Sequence, residues 1–185
     1  GTGNYFFGDI YEVLVLTGTQ YQYMTDLELQ KIHSYFALKY GLTINVDYVN
    51  SNGSPIWTHT DNTGYNTGIF GLINDVNGNL KVNQAKSSDD QFLTAFVGDL
   101  KDFNVQNNAT ILNDGEYIMF GDNGVEEWLI SVDYKAGQTT WANGITNDKD
   151  INFRNNRVLK VRTNIANPSI NFRTHVGANY VAVCQ

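Results

Sequence analysis

The sequence has very little proline and cysteine. With 2 Pro among 185 residues, most of its turns must be made by other residue types. Its 17 Gly and its many Asn and Asp residues suit this role because they tolerate left-handed backbone conformations. A chain in which turns are this frequent is typical of a β-rich protein.

The single cysteine bears on disulfide bonding, and the lack of long apolar runs bears on membrane insertion. Cys184 is the only Cys, so an internal disulfide is excluded and the hydrophobic core must stabilise the fold. On an alternating C-terminal strand, a lone Cys is expected to be a small buried hydrophobic residue. No apolar run approaches the roughly 18 residues of a membrane-spanning helix, so no membrane span is predicted.

Positive charge is also scarce. The chain has 12 Lys and Arg against 19 Asp and Glu, which gives a formal net charge of −7. Nucleic-acid binding depends on clustered basic residues, so a nucleic-acid partner is not expected. An acidic surface is typical of a secreted or surface-exposed protein that charge repulsion keeps in solution.

One helix is predicted near the start, over about 26–40. Thr25 and Glu28 have the spacing of a capping box, and Gly41 fits the position just after a helix. Apolar side chains recur at helical spacing and predict one packing face, formed by Leu29, Ile32, His33, Phe36 and Tyr40.

The rest of the chain favours short strands separated by Asn-Gly and Asp-Gly turns, such as Asn52-Gly53. We therefore predict a mainly β fold, an antiparallel β-sandwich of about 9–11 short strands with one N-terminal amphipathic helix. Residues 1–185 are expected to form one domain. It would comprise an N-terminal strand within 1–18, a helix within 25–41 that fastens this strand to the body, and a β domain over 42–185.

The N-terminal strand is predicted from the apolar, β-branched run that begins at Asp9 and ends at Leu16. Few residues precede it, so we expect its edges to pair with later strands, a neighbouring domain or another chain. The residues assigned to this assembly strand are Ile10, Glu12, Val13, Leu14 and Val15.

Catalytic motifs are not evident, and no enzyme activity is predicted. The three histidines have no partner at metal-ligand spacing, and no nucleophile elbow is present. Paired carboxylates can hydrolyse glycosides, but the adjacent Glu126 and Glu127 would point to opposite faces of a strand. A polysaccharide hydrolase is therefore the third hypothesis.

Two kinds of ligand site remain open. Calcium is a candidate ligand of the oxygen-rich loop that contains Asp75, Asn77 and Asn79, although turn chemistry alone accounts for these residues. No cofactor is firmly indicated. A surface glycan could stack on Trp57 or Trp141 and hydrogen-bond to Asn143, because both Trp residues lie in less regular stretches.

The segment from Asp26 to Thr43 resembles a helix found in large surface proteins of the Bacteroidota. Shared features include Lys31-Ile32 and the run Leu38-Lys-Tyr-Gly-Leu-Thr43, and the likeness continues as far as Arg157-Val-Leu-Lys-Val161. In those proteins the helix follows a laminin-G or concanavalin-like lectin module and precedes a β domain of unknown function. Asn74 and Leu159 depart from the residues usual there.

The resemblance implies a secreted, cell-surface or extracellular protein, exported by the type IX system and associated with adhesion. Together with the orphan strand, it favours a non-enzymatic structural or adhesive module that forms filaments through its N-terminal strand. A carbohydrate-binding module is the alternative. The expected partners are copies of the chain, neighbouring domains of the same precursor, or a surface glycan.

Overall fold

The computed structural model describes residues 8–17, 23–89, 93–125, 130–131, 153–154 and 157–174. In these ranges one α-helix and eleven strands are present, and all strand pairings are antiparallel. The predicted fold class, an antiparallel β-sandwich with one N-terminal helix, is confirmed. The elements are α1 Asp26–Tyr40, β1 Tyr48–Val49, β2 Pro55–Trp57, β3 Thr67–Asp75, β4 Leu80–Val82, β5 Gln84–Lys86, β6 Leu93–Phe96, a 3-10 helix Asn104–Gln106, β7 Tyr117–Asp122, β8 Ile130–Ser131, β9 Phe153–Arg154, β10 Leu159–Thr163 and β11 Asn171–Thr174.

Two sheets form the body of the described structure. The four-stranded sheet has the order β10-β7-β3-β4, and the three-stranded sheet has the order β11-β6-β5. Strands β1 and β2 form a separate hairpin, and β8 pairs with β9. The hairpin turn is the predicted Asn52-Gly53, where Gly53 has a φ of 84° that suits glycine.

The two central strands of the four-stranded sheet, β3 and β7, are buried along most of their length. Because successive side chains of a strand point to opposite sides, both faces of these strands are covered. On one face, Phe70 and Leu72 of β3 lie beside Phe120 of β7 and pack against Leu93 and Ala95 of the three-stranded sheet. The Phe70 and Phe120 rings stack with their centroids 4.9 Å apart. This contact between two sheets is the core of the sandwich.

The opposite face of the same sheet is covered by the helix and the hairpin. Ile69 and Ile73 of β3 pack there with Met119 of β7. Leu38 of α1 and Trp57 of β2 close this second core, and both are almost completely buried. The described structure therefore has three layers, with the four-stranded sheet in the middle.

Both predicted ends of the helix are confirmed. The Thr25 hydroxyl accepts a hydrogen bond from the Glu28 amide at 3.2 Å, and the Glu28 carboxylate accepts one from the Thr25 amide at 2.7 Å. Gly41 ends the helix with a φ of 66°. These signals are read correctly from sequence because a cap depends only on residues within one turn.

The predicted packing face of the helix is wrong. The buried helical residues are Ser34, Ala37 and Leu38, whereas His33 is exposed and Leu29 is 44% exposed. Two of the buried residues are small, which lets the helix approach β1 closely, and the Ser34 hydroxyl accepts a hydrogen bond from the Val49 amide at 3.0 Å. The buried face of α1 is therefore the one whose small residues allow close packing on β1, and not the one with the largest apolar side chains.

The run from Asp9 to Leu16, predicted to be a strand, pairs with no described strand of the same chain, and its pairing with a neighbouring domain or another chain stays a prediction. The stretch around Trp57, predicted to be irregular, contains the short strand β2. The predicted strand over Tyr180 to Cys184, with Cys184 itself, lies outside the described residues.

Replacement of Gly41 by Ala should lower the free energy of unfolding by more than the usual cost of placing Ala in a left-handed backbone conformation. A methyl group there would clash with the Lys86 carbonyl oxygen, because the chain after α1 runs directly against β5. Gly115 is the matched control, since its φ is 78° and an added methyl group would have no neighbour within 4 Å. Gly115→Ala should cost roughly 1–2 kcal/mol.

The measurement is the free energy of unfolding in urea for both variants. A substantially larger loss for Gly41→Ala than for Gly115→Ala is expected, because only the first position adds a steric clash. Equal losses would show that the helix end does not press on β5.

Candidate functional site

The N-terminal segment, defined here as residues 8–17, is the most unusual surface of the described structure. Its apolar side chains are largely in solvent: Ile10 is 66% exposed, Val13 68% and Val15 72%. No backbone–backbone hydrogen bond joins this segment to another described residue. A sequence with strong β propensity thus has exposed apolar side chains and backbone groups that no described residue pairs with.

One carboxylate holds this segment against the helix. The Lys39 ammonium nitrogen lies 3.1 Å from one carboxylate oxygen of Glu12 and 3.0 Å from the other. The Tyr40 hydroxyl donates a hydrogen bond of 2.9 Å to the same carboxylate, and the Tyr35 hydroxyl is 3.5 Å away. We call these four residues, Glu12, Tyr35, Lys39 and Tyr40, the Glu12 cluster.

The Glu12 cluster shifts the titration of its members. Hydrogen bonds from Lys39, and then from Tyr40, lower the pKa of Glu12 below its ordinary value of 4.5. The pKa of Lys39 is raised, chiefly by its hydrogen bond of 2.8 Å with the Tyr35 hydroxyl. Partial burial, and then the Glu12 carboxylate, raise the pKa of Tyr40. The charged forms of Glu12 and Lys39 are therefore the stable ones at neutral pH.

A groove of about 340 Å³ separates the N-terminal segment from the helix and the central sheet. Leu14 lines it from the segment, and Ile32 and Phe36 line it from the helix. These two helical residues belong to the apolar stripe that the sequence predicted as a core face. They line this groove instead.

The assembly-strand residues predicted from sequence therefore have different roles. Glu12 attaches the segment and Leu14 lines the groove, whereas Ile10, Val13 and Val15 remain largely in solvent. Sequence reasoning missed Lys39 and Tyr40, the partners of Glu12. The sequence signal for such a partner was the Glu12 carboxylate inside an apolar run, because a charge in that setting needs an opposite charge nearby.

The predicted calcium loop has a structural role. The buried Asp75 carboxylate accepts hydrogen bonds from the Ser51 amide at 2.7 Å, the Ser51 hydroxyl and the Gly78 amide at 3.0 Å. Asn77 donates to the Ser51 hydroxyl at 3.2 Å, and Asn79 takes a left-handed turn with a φ of 49°. These bonds tie the β1–β2 hairpin to the β3–β4 turn, so turn chemistry accounts for Asp75 and Asn77.

The prediction of a stacking surface at Trp57 is wrong. Its side chain is 0% exposed, and its indole N–H donates a hydrogen bond of 2.9 Å to Asn66. A methyl group at Gly121 of β7 would lie 2.6 Å from the Trp57 ring, which shows how closely the two strands approach. Trp57 is a core residue. Trp141 and Asn143 lie outside the described residues.

The described part of the chain contains no group of three or more His, Cys, Asp or Glu side chains placed to hold a metal ion. It also contains no helix with the length and hydrophobicity needed to cross a bilayer.

Loss of the Glu12 carboxylate should loosen the N-terminal segment without unfolding the body. We expect Glu12→Gln to speed cleavage within residues 8–17 by a nonspecific protease, measured by mass spectrometry. Asp9→Asn is the matched control, because it removes a carboxylate from the same segment outside the Glu12 cluster. Equal cleavage rates in both variants would contradict the assigned role of Glu12.

Acid should release the segment in the same way. The folded pKa of Glu12 is lowered, so its contribution is present above the ordinary pKa of 4.5 and is lost as pH falls through the lowered value. An NMR titration of the Glu12 side-chain carbon should give a pKa below 4.5, and Lys39→Gln should return it toward that value. A Glu12 pKa that is the same in both proteins would contradict the cluster.

Comparisons with known proteins place the chain in a family but give no activity. Neither the curated proteins nor the solved structures contain a match to this chain. A family model described as "Domain of unknown function (DUF8202)" matches residues 28–183, a region that begins inside α1 and leaves out the N-terminal segment. This match covers well over half of the chain, so the chain belongs to this family of domains of unknown function.

Proposed function

We propose that this protein is a non-enzymatic structural module that assembles by adding its N-terminal segment as a strand to another copy of the same chain. The observation that supports this proposal best is the open N-terminal segment. It combines exposed apolar side chains at Ile10, Val13 and Val15 with backbone groups that pair with no other described residue.

Strand addition would meet both physical needs of this segment at once. Hydrogen bonds to a sheet edge satisfy N–H and C=O groups along the strand, and alternate side chains enter pockets of the partner. Complete burial of one Val or Ile side chain is worth about 1.5–3 kcal/mol. Several such side chains therefore provide a substantial driving force, from which the entropy of association must be subtracted.

The Glu12 cluster prepares the segment for this role. Attachment of Glu12 to Lys39 and Tyr40 fixes the middle of the segment on the helix. Val13 and Val15, directly after this anchor, stay accessible. A segment that is already restrained loses less conformational freedom on pairing, which favours association.

The proposed setting is the cell surface or the extracellular space, and the proposed use is adhesion or the building of filaments. This part of the proposal rests on the sequence resemblance to large surface proteins and on the acidic composition. A neighbouring domain of the same precursor is the other partner that strand addition could use.

A charge placed on the open face of the segment should prevent association. Val13→Asp should shift the protein toward the monomer, because strand addition would bury the new carboxylate without a partner. Val105→Asp is the matched control, since Val105 is 83% exposed and lies on the 3-10 helix. Sedimentation velocity over a hundredfold range of concentration measures the effect, and electron microscopy identifies fibres.

Each outcome of these measurements either supports or contradicts the proposal. Association of the wild type and of Val105→Asp, with loss in Val13→Asp, supports assembly through the segment. A wild type that stays monomeric throughout contradicts self-assembly, and equal loss in both variants contradicts the assigned surface.

A further inference from the structure

A second concave surface gathers much of the positive charge of this acidic protein. It is a cavity of about 450 Å³ next to the C-terminal end of α1, and its volume is in the usual range for a ligand site. Four of the twelve Lys and Arg residues line it, together with one carboxylate, Asp102, and Lys101 also lies 3.4 Å from the Asp99 carboxylate. The four basic residues are Lys39, Lys86, Lys101 and Arg173.

Strand register explains why two of these cations lie together. In the three-stranded sheet, Thr94 of β6 is directly opposite Lys86 of β5 on one side and Arg173 of β11 on the other. Residues opposite each other on neighbouring strands share a face, with Cβ atoms about 4.5–5.5 Å apart. The three side chains therefore form one row, with a hydroxyl between two cations.

This row lies on the outer face of the sheet. The adjacent row, which alternation places on the other face, consists of Ala85, Ala95 and Phe172. Ala95 is completely buried in the sandwich core, and the Phe172 ring meets Phe120 of the central sheet edge to face. Core packing thus fixes which face carries Lys86 and Arg173.

The loop that carries Lys101 is held over the same face by a side-chain amide. Gln84 of β5 donates a hydrogen bond of 2.7 Å to the Lys101 carbonyl and accepts one of 2.9 Å from the Lys101 amide. Lys39 reaches the cavity from α1 while it remains paired with Glu12. The helix, two strands and one loop therefore bring their positive charge to one concavity.

We propose that this cavity binds an acidic saccharide, that is, a sugar chain bearing carboxylate or sulfate groups. The guanidinium of Arg173 can donate two parallel hydrogen bonds to such a group, and Lys86 adds a second charge from the same row. The Gln84 side-chain amide uses one N–H for the Lys101 carbonyl, and its second N–H is the kind of donor that recognises a sugar hydroxyl. Nucleic acid is the other common polyanion, and a DNA oligonucleotide is therefore included in the test.

The site is independent of strand addition and uses neither Trp57 nor Trp141. Its ligand would approach the outer face of the three-stranded sheet, whereas the N-terminal segment is attached through Glu12 on the helix. Of the described residues, Lys39 and Tyr40 belong to both the cavity lining and the Glu12 cluster. Failure of one proposal would therefore leave the other intact.

Isothermal titration calorimetry of the full chain at low salt tests this site with three sugars. They are an oligogalacturonate, which carries carboxylates, a heparin hexasaccharide, which carries sulfates, and the uncharged maltohexaose. We expect binding of one or both acidic sugars and none of maltohexaose. Their relative affinities identify the acidic group, and rising salt should weaken binding because it screens charge.

Variants locate the binding surface. Arg173→Gln and Lys86→Gln should each weaken binding about tenfold or more, as expected when a charge-assisted hydrogen bond is lost. Lys81→Gln is the matched control, because Lys81 is exposed on β4 and does not line the cavity. Unchanged thermal unfolding midpoints would show that each variant is folded.

Three results would overturn the proposal. The first is the lack of binding to either acidic sugar. The second is an equal loss of affinity in Lys81→Gln, which would indicate a diffuse charge effect. The third is equally tight binding of a single-stranded DNA oligonucleotide, which would indicate attraction for any polyanion.

Discussion

Burial of the two central strands of the four-stranded sheet on both faces is the constraint on which the rest of the structure depends. Strands β3 and β7 have apolar side chains on both sides, so each face needs its own cover. The three-stranded sheet covers one face, and α1 with the β1–β2 hairpin covers the other. Small residues make these contacts close: Ala95 on one side, and Ser34 and Ala37 on the other. The positions of both candidate surfaces follow from this layering.

The helix links the core to both surfaces. Its buried face packs on the central sheet, while Ile32 and Phe36 line the groove beside the N-terminal segment. Its last turn brings Lys39 to Glu12 and to the edge of the basic cavity. The same fifteen-residue helix thus stabilises the fold, anchors the open segment and contributes charge to a potential ligand site.

Sequence reasoning succeeded where structure is local. The helix ends were predictable because Thr25, Glu28 and Gly41 act within a few residues of one another, and the turn at Asn52-Gly53 was predictable for the same reason. The sandwich class followed from many short apolar runs between turns.

Features that depend on tertiary contacts could not be predicted from the sequence. The helix face was mispredicted because the approach of α1 to β1 selects Ser34 and Ala37, which carry little hydrophobic signal. Glu12 was named, but its partner Lys39 lies 27 residues later in the chain. The row of Lys86 and Arg173 depends on the register of three strands, and no short sequence pattern encodes that register.

The measurement that tests the central claim most directly is hydrogen exchange of the amides of residues 10–16 at different protein concentrations. Strand addition between copies predicts rapid exchange in dilute protein and slow exchange in concentrated protein, with the exchange of β3 unchanged. Rapid exchange at every concentration would contradict assembly through this segment. Slow exchange in the dilute monomer would contradict the open state of its backbone.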